Sequence, residues 1–327
     1  MSRDEGTAKA KRVQVVGAPP PVHVGIRAPD TDSEHEHEEA HDGHLIDAES
    51  GVNTNPTDDE NESMRELMSM FPDDETDLDL THLRIKSTKP LNLGRFHNTL
   101  IRLGLRQNEI RSMHGKDLGA VPHLKELDLY DNAIEQISGL ENNLELEVLD
   151  LSFNNIRHVS RIAHLPKCHT LFLVQNKIAH IRPTDLQPPI SLSLRSLELG
   201  GNRLRSLENL SQLTNLEELW VGKNKITSLD GIASLKKLKI LSIQSNRLTK
   251  LEGLDSLEAL EELYLSHNGL TKLENLEHNV RLTTLDFGAN QIEVIENVKH
   301  LKNLSQFWVR LHLIMHVLFV PEHDSLH

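Results

Sequence analysis

The sequence predicts a solenoid of the α/β type, in which short coils stack and their strands form one parallel sheet along a concave side. Asparagine recurs almost every 22 residues, and each copy ends a phrase close to L-x-L-x-x-N-x-(I/L), such as LDLYDNAI from Leu127 to Ile134. Nine copies in register do not arise by chance, so the repeat determines the fold. They stand at Asn108, Asn132, Asn154, Asn176, Asn202, Asn224, Asn246, Asn268 and Asn290.

Each part of the phrase favours one local structure. The L-x-L alternation has the period of a β-strand, with both leucines on one side. After the asparagine, apolar residues fall at every third position, which favours a 3₁₀ or short-helix return on the convex side. The asparagine amide both donates and accepts, so it suits a bend with unpaired backbone groups. This phrase at this period is the signature of leucine-rich repeats, whose coils are stable only when stacked.

The array is predicted to span residues 77–309, with one degenerate repeat followed by about ten strands. Asp77 to Ile85 keeps the L-x-L spacing but has Leu83 where asparagine is due, so we expect it to act as an N-terminal cap. The final strand phrase is Phe307 to Val309, and residues 310–327 are predicted to be a divergent tail without the expected cap. An uncapped core face would be exposed to solvent.

The excess negative charge lies before the array. Residues 30–79 carry 19 acidic groups and one basic group, whereas the chain as a whole has a net charge of −14. Such a composition cannot bury enough apolar surface to fold, so residues 1–76 are predicted to be a disordered acidic region. Its short apolar patch, Met64 to Phe71, is interpreted as a transient or a docking helix. Four histidines among residues 35–44 are interpreted as solvated linker rather than a metal site, and no cofactor is expected.

Composition favours an intracellular protein without a membrane segment. The first residues lack the apolar stretch of a secretory signal. The apolar run from Leu311 to Val320 is about half of the roughly 20 residues that a membrane span needs. The single cysteine, Cys168, occupies a column held by leucine in other repeats, so we expect it to be buried.

The concave face holds the candidate functional residues, because the middle residue of L-x-L points away from the core. The four Trp and Tyr residues of the chain all fall on this face, where a solvated sheet has no structural need for them. Aromatic side chains are preferred anchors of protein interfaces, and acidic neighbours suit a basic protein patch and repel nucleic acid. No phosphate loop, zinc motif or nucleophile accompanies them, so we expect no enzyme. The middle column reads Gly104, Asp128, Asp150, Phe172, Glu198, Trp220, Ser242, Tyr264, Asp286 and Trp308.

Several phrases go beyond the generic repeat. ELDLYDN (126–132), GKNKIT (222–227) and ELYLSHNG (262–269) resemble the leucine-rich-repeat regulatory subunit of type 1 protein phosphatase, the regulatory subunit 7 family. The resemblance extends from about Asp77 to Val309. It implies a non-catalytic regulator that binds the phosphatase catalytic subunit, often together with a small inhibitor protein. It also implies a nuclear and cytoplasmic location and a part in mitosis.

The resemblance also assigns partner-binding positions. It implies contacts from the concave column, with Trp220 in a position that is often Phe and Gln306 in place of an acidic residue. We add Tyr264 from the aromatic column. The alternative is a leucine-rich-repeat scaffold of another intracellular pathway, either cytoskeletal or splicing-associated. The predicted partner-binding residues are Asp150, Phe172, Glu198, Trp220, Tyr264, Asp286, Gln306 and Trp308.

Overall fold

The computed structural model describes residues 58–309, and within them eleven parallel strands lie side by side in sequence order in one sheet. The predicted α/β solenoid is therefore confirmed, with one degenerate strand followed by ten regular ones. The strands are β1 (Asp77–Asp79), β2 (Arg102–Gly104), β3 (Glu126–Asp128), β4 (Val148–Asp150), β5 (Thr170–Phe172), β6 (Ser196–Glu198), β7 (Glu218–Trp220), β8 (Ile240–Ser242), β9 (Glu262–Tyr264), β10 (Thr284–Phe287) and β11 (Gln306–Val309).

Helices are few. The described residues contain α1 (Asp58–Ser69), α2 (Gly115–Leu118) and α3 (Ile190–Ser193), with 3₁₀ turns at Lys89–Leu91 and Leu93–Phe96. Most of the convex side is built from turns, because an apolar residue at every third position needs only a tight bend to reach the interior. In one repeat, Leu207, Leu210 and Leu213 are all buried in this way.

The register stacks leucine on leucine and so makes the core continuous. Leu219 of β7 lies between Leu197 of β6 and Leu241 of β8, and all three side chains are fully buried. The same pairing recurs along the sheet, so each coil buries its apolar side against its neighbours. The whole array is therefore the stable unit.

The recurring asparagines form a hydrogen-bonded ladder inside the coil. The Asn224 amide nitrogen donates to the carbonyls of Leu199, Val221 and Gly222 at 2.9, 3.1 and 3.2 Å. Its amide oxygen accepts the backbone N–H of Leu204 at 2.9 Å. We call the nine equivalent residues, at 108, 132, 154, 176, 202, 224, 246, 268 and 290, the asparagine ladder. Each one links its own bend to the preceding coil, which confirms the predicted role.

Residues 58–76, which the sequence analysis assigned to the acidic region, contact the start of the array. Met68 of α1 is buried in the array core, and Met64 and Phe71 pack against it. Arg95 fastens the end of the helix, since its guanidinium donates to the carbonyls of Met68 and Phe71, each at 2.7 Å. The carbonyls at a helix end lack partners within the helix, and a cationic donor satisfies them. In the structure this apolar patch packs on the first coils of the array.

The remaining predictions about both ends of the chain fall outside residues 58–309. These are the disorder of residues 1–57, the histidines at 35–44, the tail 310–327 and the apolar run 311–320. In the described part, no helix is long and apolar enough to cross a membrane. Cys168 is fully buried as expected, and burial raises the pKa of its thiol to about 12.

Candidate protein-binding face

The centre of the concave face alternates aromatic and acidic side chains on neighbouring strands. The register places Glu198 of β6 between Phe172 of β5 and Trp220 of β7. All three side chains are half-buried. Adjacent strands lie about 4.8 Å apart, so one partner side chain can touch the carboxylate and both aromatic groups together.

The carboxylates of Glu198 and Asp150 are partly removed from water. Burial, together with the nearby charges of Asp150 and Glu218, raises the pKa of Glu198 to about 7. Burial also raises the pKa of Asp150, although the backbone N–H of Ser152 donates to its carboxylate at 2.8 Å. Within residues 58–309, neither Glu198 nor Asp150 forms an ion pair. The fold therefore holds negative charge here at a free-energy cost.

Two aromatic rings meet across a strand beyond this region. Trp220 of β7 and Tyr264 of β9 stack with ring centroids 6.2 Å apart and an interplanar angle of 23°. The strand between them, β8, contributes the small and buried Ser242 at the same level, which leaves room for the contact. The Tyr264 hydroxyl donates to Glu262 at 2.6 Å, whereas the buried indole N–H of Trp220 has no acceptor in residues 58–309.

The middle residues of β10 and β11 are nearly inaccessible to solvent, as is that of β8. Asp286 is only 1% exposed and Trp308 only 8% exposed. The Asp286 carboxylate accepts the backbone N–H of Gly288 at 2.9 Å and the side-chain amide of Gln244 at 3.2 Å. Gln244 reaches it from two coils away, because the inward curve of the sheet brings large side chains together. Gln306, on the edge of the same strand as Trp308, is exposed.

The opposite end of the face, near β2 and β3, contains contacts that the sequence analysis missed. Arg106 pairs with Asp128 at 2.8 Å and lies over the Tyr130 ring, 4.1 Å from its centroid. The Tyr130 ring in turn contacts Phe153, with centroids 4.8 Å apart. Reading one further column, the residue before each ladder asparagine, would have found Phe153. The acidic charge of Asp128 is thus paired within the chain, unlike that of Glu198.

The described residues hold no group of three or more His, Cys, Asp or Glu side chains placed to bind a metal ion. The concave face offers hydrogen-bonding, ionic and apolar contacts over several strands. Those groups suit recognition of a protein surface.

Comparison with known families identifies the repeats. A model described as "Leucine Rich repeats (2 copies)" matches residues 192–234, and one described as "Leucine rich repeat" matches residues 214–270. Residues 192–270 thus contain leucine-rich repeats. An internalin (inlF) from Listeria monocytogenes shares the fold with a TM-score of 0.62 over 77% of this chain and 81% of its own, at 22% identity.

Curated relatives confirm the resemblance noted in the repeat phrases. Protein phosphatase 1 regulatory subunit SDS22 of Saccharomyces cerevisiae is 48% identical over 31% of this chain and 30% of its own. The protein phosphatase 1 regulatory inhibitor subunit PPP1R7 homolog of Arabidopsis thaliana is 35% identical over 38% of each chain. U2 small nuclear ribonucleoprotein A′ of Aspergillus fumigatus is 32% identical over 29% of this chain and 37% of its own. The matched segments thus span about a third of the length of these relatives.

Proposed function

We propose that this chain is a non-catalytic regulatory subunit that binds the type 1 protein phosphatase catalytic subunit through its concave face, and so modulates or targets it. The observation that carries the proposal is the half-buried carboxylate of Glu198, which has aromatic neighbours on both adjacent strands and no cation. Relatives named as phosphatase 1 regulatory subunits direct the choice of partner.

The partner surface is expected to be basic. An Arg or Lys of the partner would pair with Glu198 without displacing any cation of this chain. The surrounding rings of Phe172 and Trp220 would contribute apolar contact area, which is the usual composition of an interface hot spot.

The predicted contact residues divide by accessibility. Asp150, Phe172, Glu198, Trp220 and Tyr264 are half-buried and Gln306 is exposed, so all six can touch a partner directly. We assign Asp286 and Trp308 mainly to support of that surface, since both are nearly inaccessible. This division refines the set that the resemblance implies.

The resemblance also supports a ternary complex with a small inhibitor protein, and action in the nucleus and cytoplasm during mitosis. Co-purification of the chain with both phosphatase and inhibitor tests the first proposal. Imaging of the tagged chain through the cell cycle tests the second, and exclusion from the nucleus at every stage would contradict it.

The direct test is calorimetric titration of the phosphatase catalytic subunit with the full chain and with a Trp220→Ala/Glu198→Ala variant. We expect binding by the original chain and loss of at least about 3 kcal/mol in the variant. A Val294→Ala/Glu296→Ala variant is the matched control, because it removes one exposed apolar and one exposed acidic side chain elsewhere. Equal affinity of the two variants would refute the concave face as the site.

A second candidate is a scaffold role in a ribonucleoprotein, favoured by the similarity to U2 small nuclear ribonucleoprotein A′. Under this alternative the same face would bind a protein of that particle. The chain would then be retained on U2 particle proteins and not on the phosphatase. The reverse result supports the first proposal.

A further inference from the structure

A second charged surface runs along the edge of the solenoid where the strands end. The residue after each ladder asparagine donates its backbone N–H to the preceding coil, so these residues form a regular column. In four consecutive coils the column holds a cation, and the donor-to-acceptor distances are 2.9, 2.9, 2.8 and 2.9 Å. We call these four residues, Lys177, Arg203, Lys225 and Arg247, the basic edge.

The sequence around the basic edge is rich in cationic residues. The five residues after each asparagine at 154, 176, 202, 224 and 246 include seven Lys or Arg and no Asp or Glu. The nearest acidic residues of these coils, Glu208, Asp230 and Glu252, follow further along the return, towards the convex side. The basic edge is therefore separate from the acidic concave face described above.

Stacking like charges in register is unfavourable. Adjacent coils are spaced by about 4.8 Å at the sheet, a distance at which aligned cations repel each other. A polyanion lying along the edge would convert this repulsion into attraction. The regular column, three to four coils long, suits an extended acidic peptide.

The chain supplies such a peptide itself. Residues 30–57 contain nine Asp or Glu and no Lys or Arg, and seven of the nine lie within residues 30–42. We propose that residues 30–49 bind the basic edge within the same molecule. Two features support this occupant, namely its complementary charge and its covalent attachment to a helix that is docked on the array.

The connection is long enough. Helix α1 begins at Asp58 and packs against the 3₁₀ turn Lys89–Leu91 at the start of the array. The basic edge lies beside the coils of β5 to β8, about 20–35 Å further along the sheet. The 15 residues between positions 42 and 58 span up to about 50 Å when extended and about 20 Å as a flexible chain. Attachment thus places the acidic segment near the edge at an effective concentration of about millimolar.

The concave face is the less favourable place for the acidic segment. Burial, together with repulsion from neighbouring carboxylates, raises the pKa values of Glu198 and Asp150 there. A further polyanion would be repelled from that face. Binding on the edge leaves the concave face open for a basic partner.

Zero-length carbodiimide cross-linking of the full chain tests the proposal, because this reagent joins only carboxylates and amines in contact. We expect links from residues 30–49 to Lys177 and Lys225, and few to Lys236 and Lys302, which are exposed lysines outside the edge. The links should weaken at high salt. A mixture of isotopically light and heavy chains separates links within one molecule from links between molecules.

A charge-reversal variant makes the test specific. Arg203→Glu/Arg247→Glu keeps both reporter lysines and should lower their cross-linking to residues 30–49 by roughly fivefold. Lys236→Glu/Lys302→Glu has the same change in charge and should leave it unaltered. If the first variant does not fold, Arg203→Gln/Arg247→Gln removes the charges with less disturbance.

Three results would overturn the proposal. The first is an even spread of links over all exposed lysines, and the second is links between molecules only. The third concerns Arg203→Glu/Arg247→Glu. It is a loss of retention on heparin, used as a polyanion probe, while the cross-links from residues 30–49 to Lys177 and Lys225 remain. That last result would assign the edge to an external polyanion such as a nucleic acid.

Discussion

The asparagine ladder and the middle column of the concave face belong to the same repeat but obey different rules. Asn224 lies only four residues after Trp220, yet its amide is bonded at both ends and the same residue recurs in nine coils. The middle column changes at almost every strand and includes an indole N–H without an acceptor and a carboxylate with a raised pKa. Positions that hold the same residue in every repeat satisfy the hydrogen-bonding groups of the backbone and so stabilise the fold. Varied positions tolerate unsatisfied groups and serve recognition.

The largest effect is expected in the ladder. Asn224→Leu would leave the buried backbone N–H of Leu204 without its acceptor, and it would remove the bonds donated to the carbonyls of Leu199, Val221 and Gly222. Each buried unsatisfied group costs about 1–3 kcal/mol, so we expect a loss of about 3 kcal/mol in the free energy of unfolding. Urea unfolding followed by circular dichroism measures it.

The control for this substitution is Asn303→Leu. Asn303 also donates to a carbonyl of the preceding coil, that of Val280 at 2.9 Å, but it is exposed. Water can replace that bond, so we expect a change below about 0.5 kcal/mol. Equal losses at the two positions would show that the ladder is no more important than a surface contact.

The two tryptophans of the concave face should behave differently. Trp220→Ala is expected to weaken phosphatase binding by about 2–4 kcal/mol, because its half-buried ring is proposed to face the partner. Trp308→Ala is expected to lower the free energy of unfolding more than the binding free energy, because its ring is already enclosed by the chain. Titration calorimetry and urea unfolding of both variants decide this. If the two variants lose binding and stability to the same extent, accessibility does not distinguish the roles of the two tryptophans.

The pH dependence of a Glu198→Gln variant should separate the effect of this carboxylate on stability from its effect on binding. The folded-state pKa of Glu198 is about 7, against a usual value of 4.5, so the folded state binds this proton more tightly than the unfolded state does. Stability therefore falls as pH rises between these two values, and above pH 7 the ionised carboxylate destabilises the fold. The amide variant should be more stable than the original at pH 8 and equal to it below pH 4.5 in urea unfolding.

Binding should respond in the opposite direction. A cationic partner group prefers ionised Glu198, so the affinity of the original chain should rise as pH increases through 7. The glutamine variant should bind more weakly at pH 8 and lose this dependence. A pH profile of affinity that is the same for both chains would contradict the assigned role of Glu198.

The smallest effect is expected for an exposed ion pair between coils. Lys239 lies 2.6 Å from Glu217 of the preceding coil, and both side chains are partly open to water. Exposed pairs of this kind contribute about 0–1 kcal/mol, so Lys239→Met should change the free energy of unfolding by less than about 0.5 kcal/mol. A loss as large as that of Asn224→Leu would mean that ion pairs, rather than the asparagine ladder, join the coils.

The sequence could predict features that depend on period alone. The strands, the buried Cys168 and the role of Asn224 all follow from repeated spacing. The enclosure of Asp286 could not be predicted, because Gln244 covers it from two coils away and that contact depends on the curvature of the sheet. Nor does the period reveal docking of α1, which depends on single contacts such as that between Arg95 and the Met68 carbonyl.

The backbone conformation of the residue before each ladder asparagine could not be predicted from the residue types at that position. Lys223 and Ser245 both have positive φ, at 53° and 54°, in a conformation that favours glycine. Gly201 occupies the equivalent position with φ of 69° and is the only glycine of that column between residues 107 and 289. Because the bend is imposed by the coil and held by the ladder, ordinary side chains accept the conformation.

The most direct test of the account is the dissociation constant between the type 1 phosphatase catalytic subunit and a chain with four accessible concave residues replaced by alanine, namely Asp150, Phe172, Glu198 and Trp220. We predict that binding falls by at least about 1,000-fold, while cooperative urea unfolding shows the ladder-supported solenoid still folded. Binding as tight as that of the original chain, with the fold intact, would contradict the claim that the varied column of the concave face is the recognition surface.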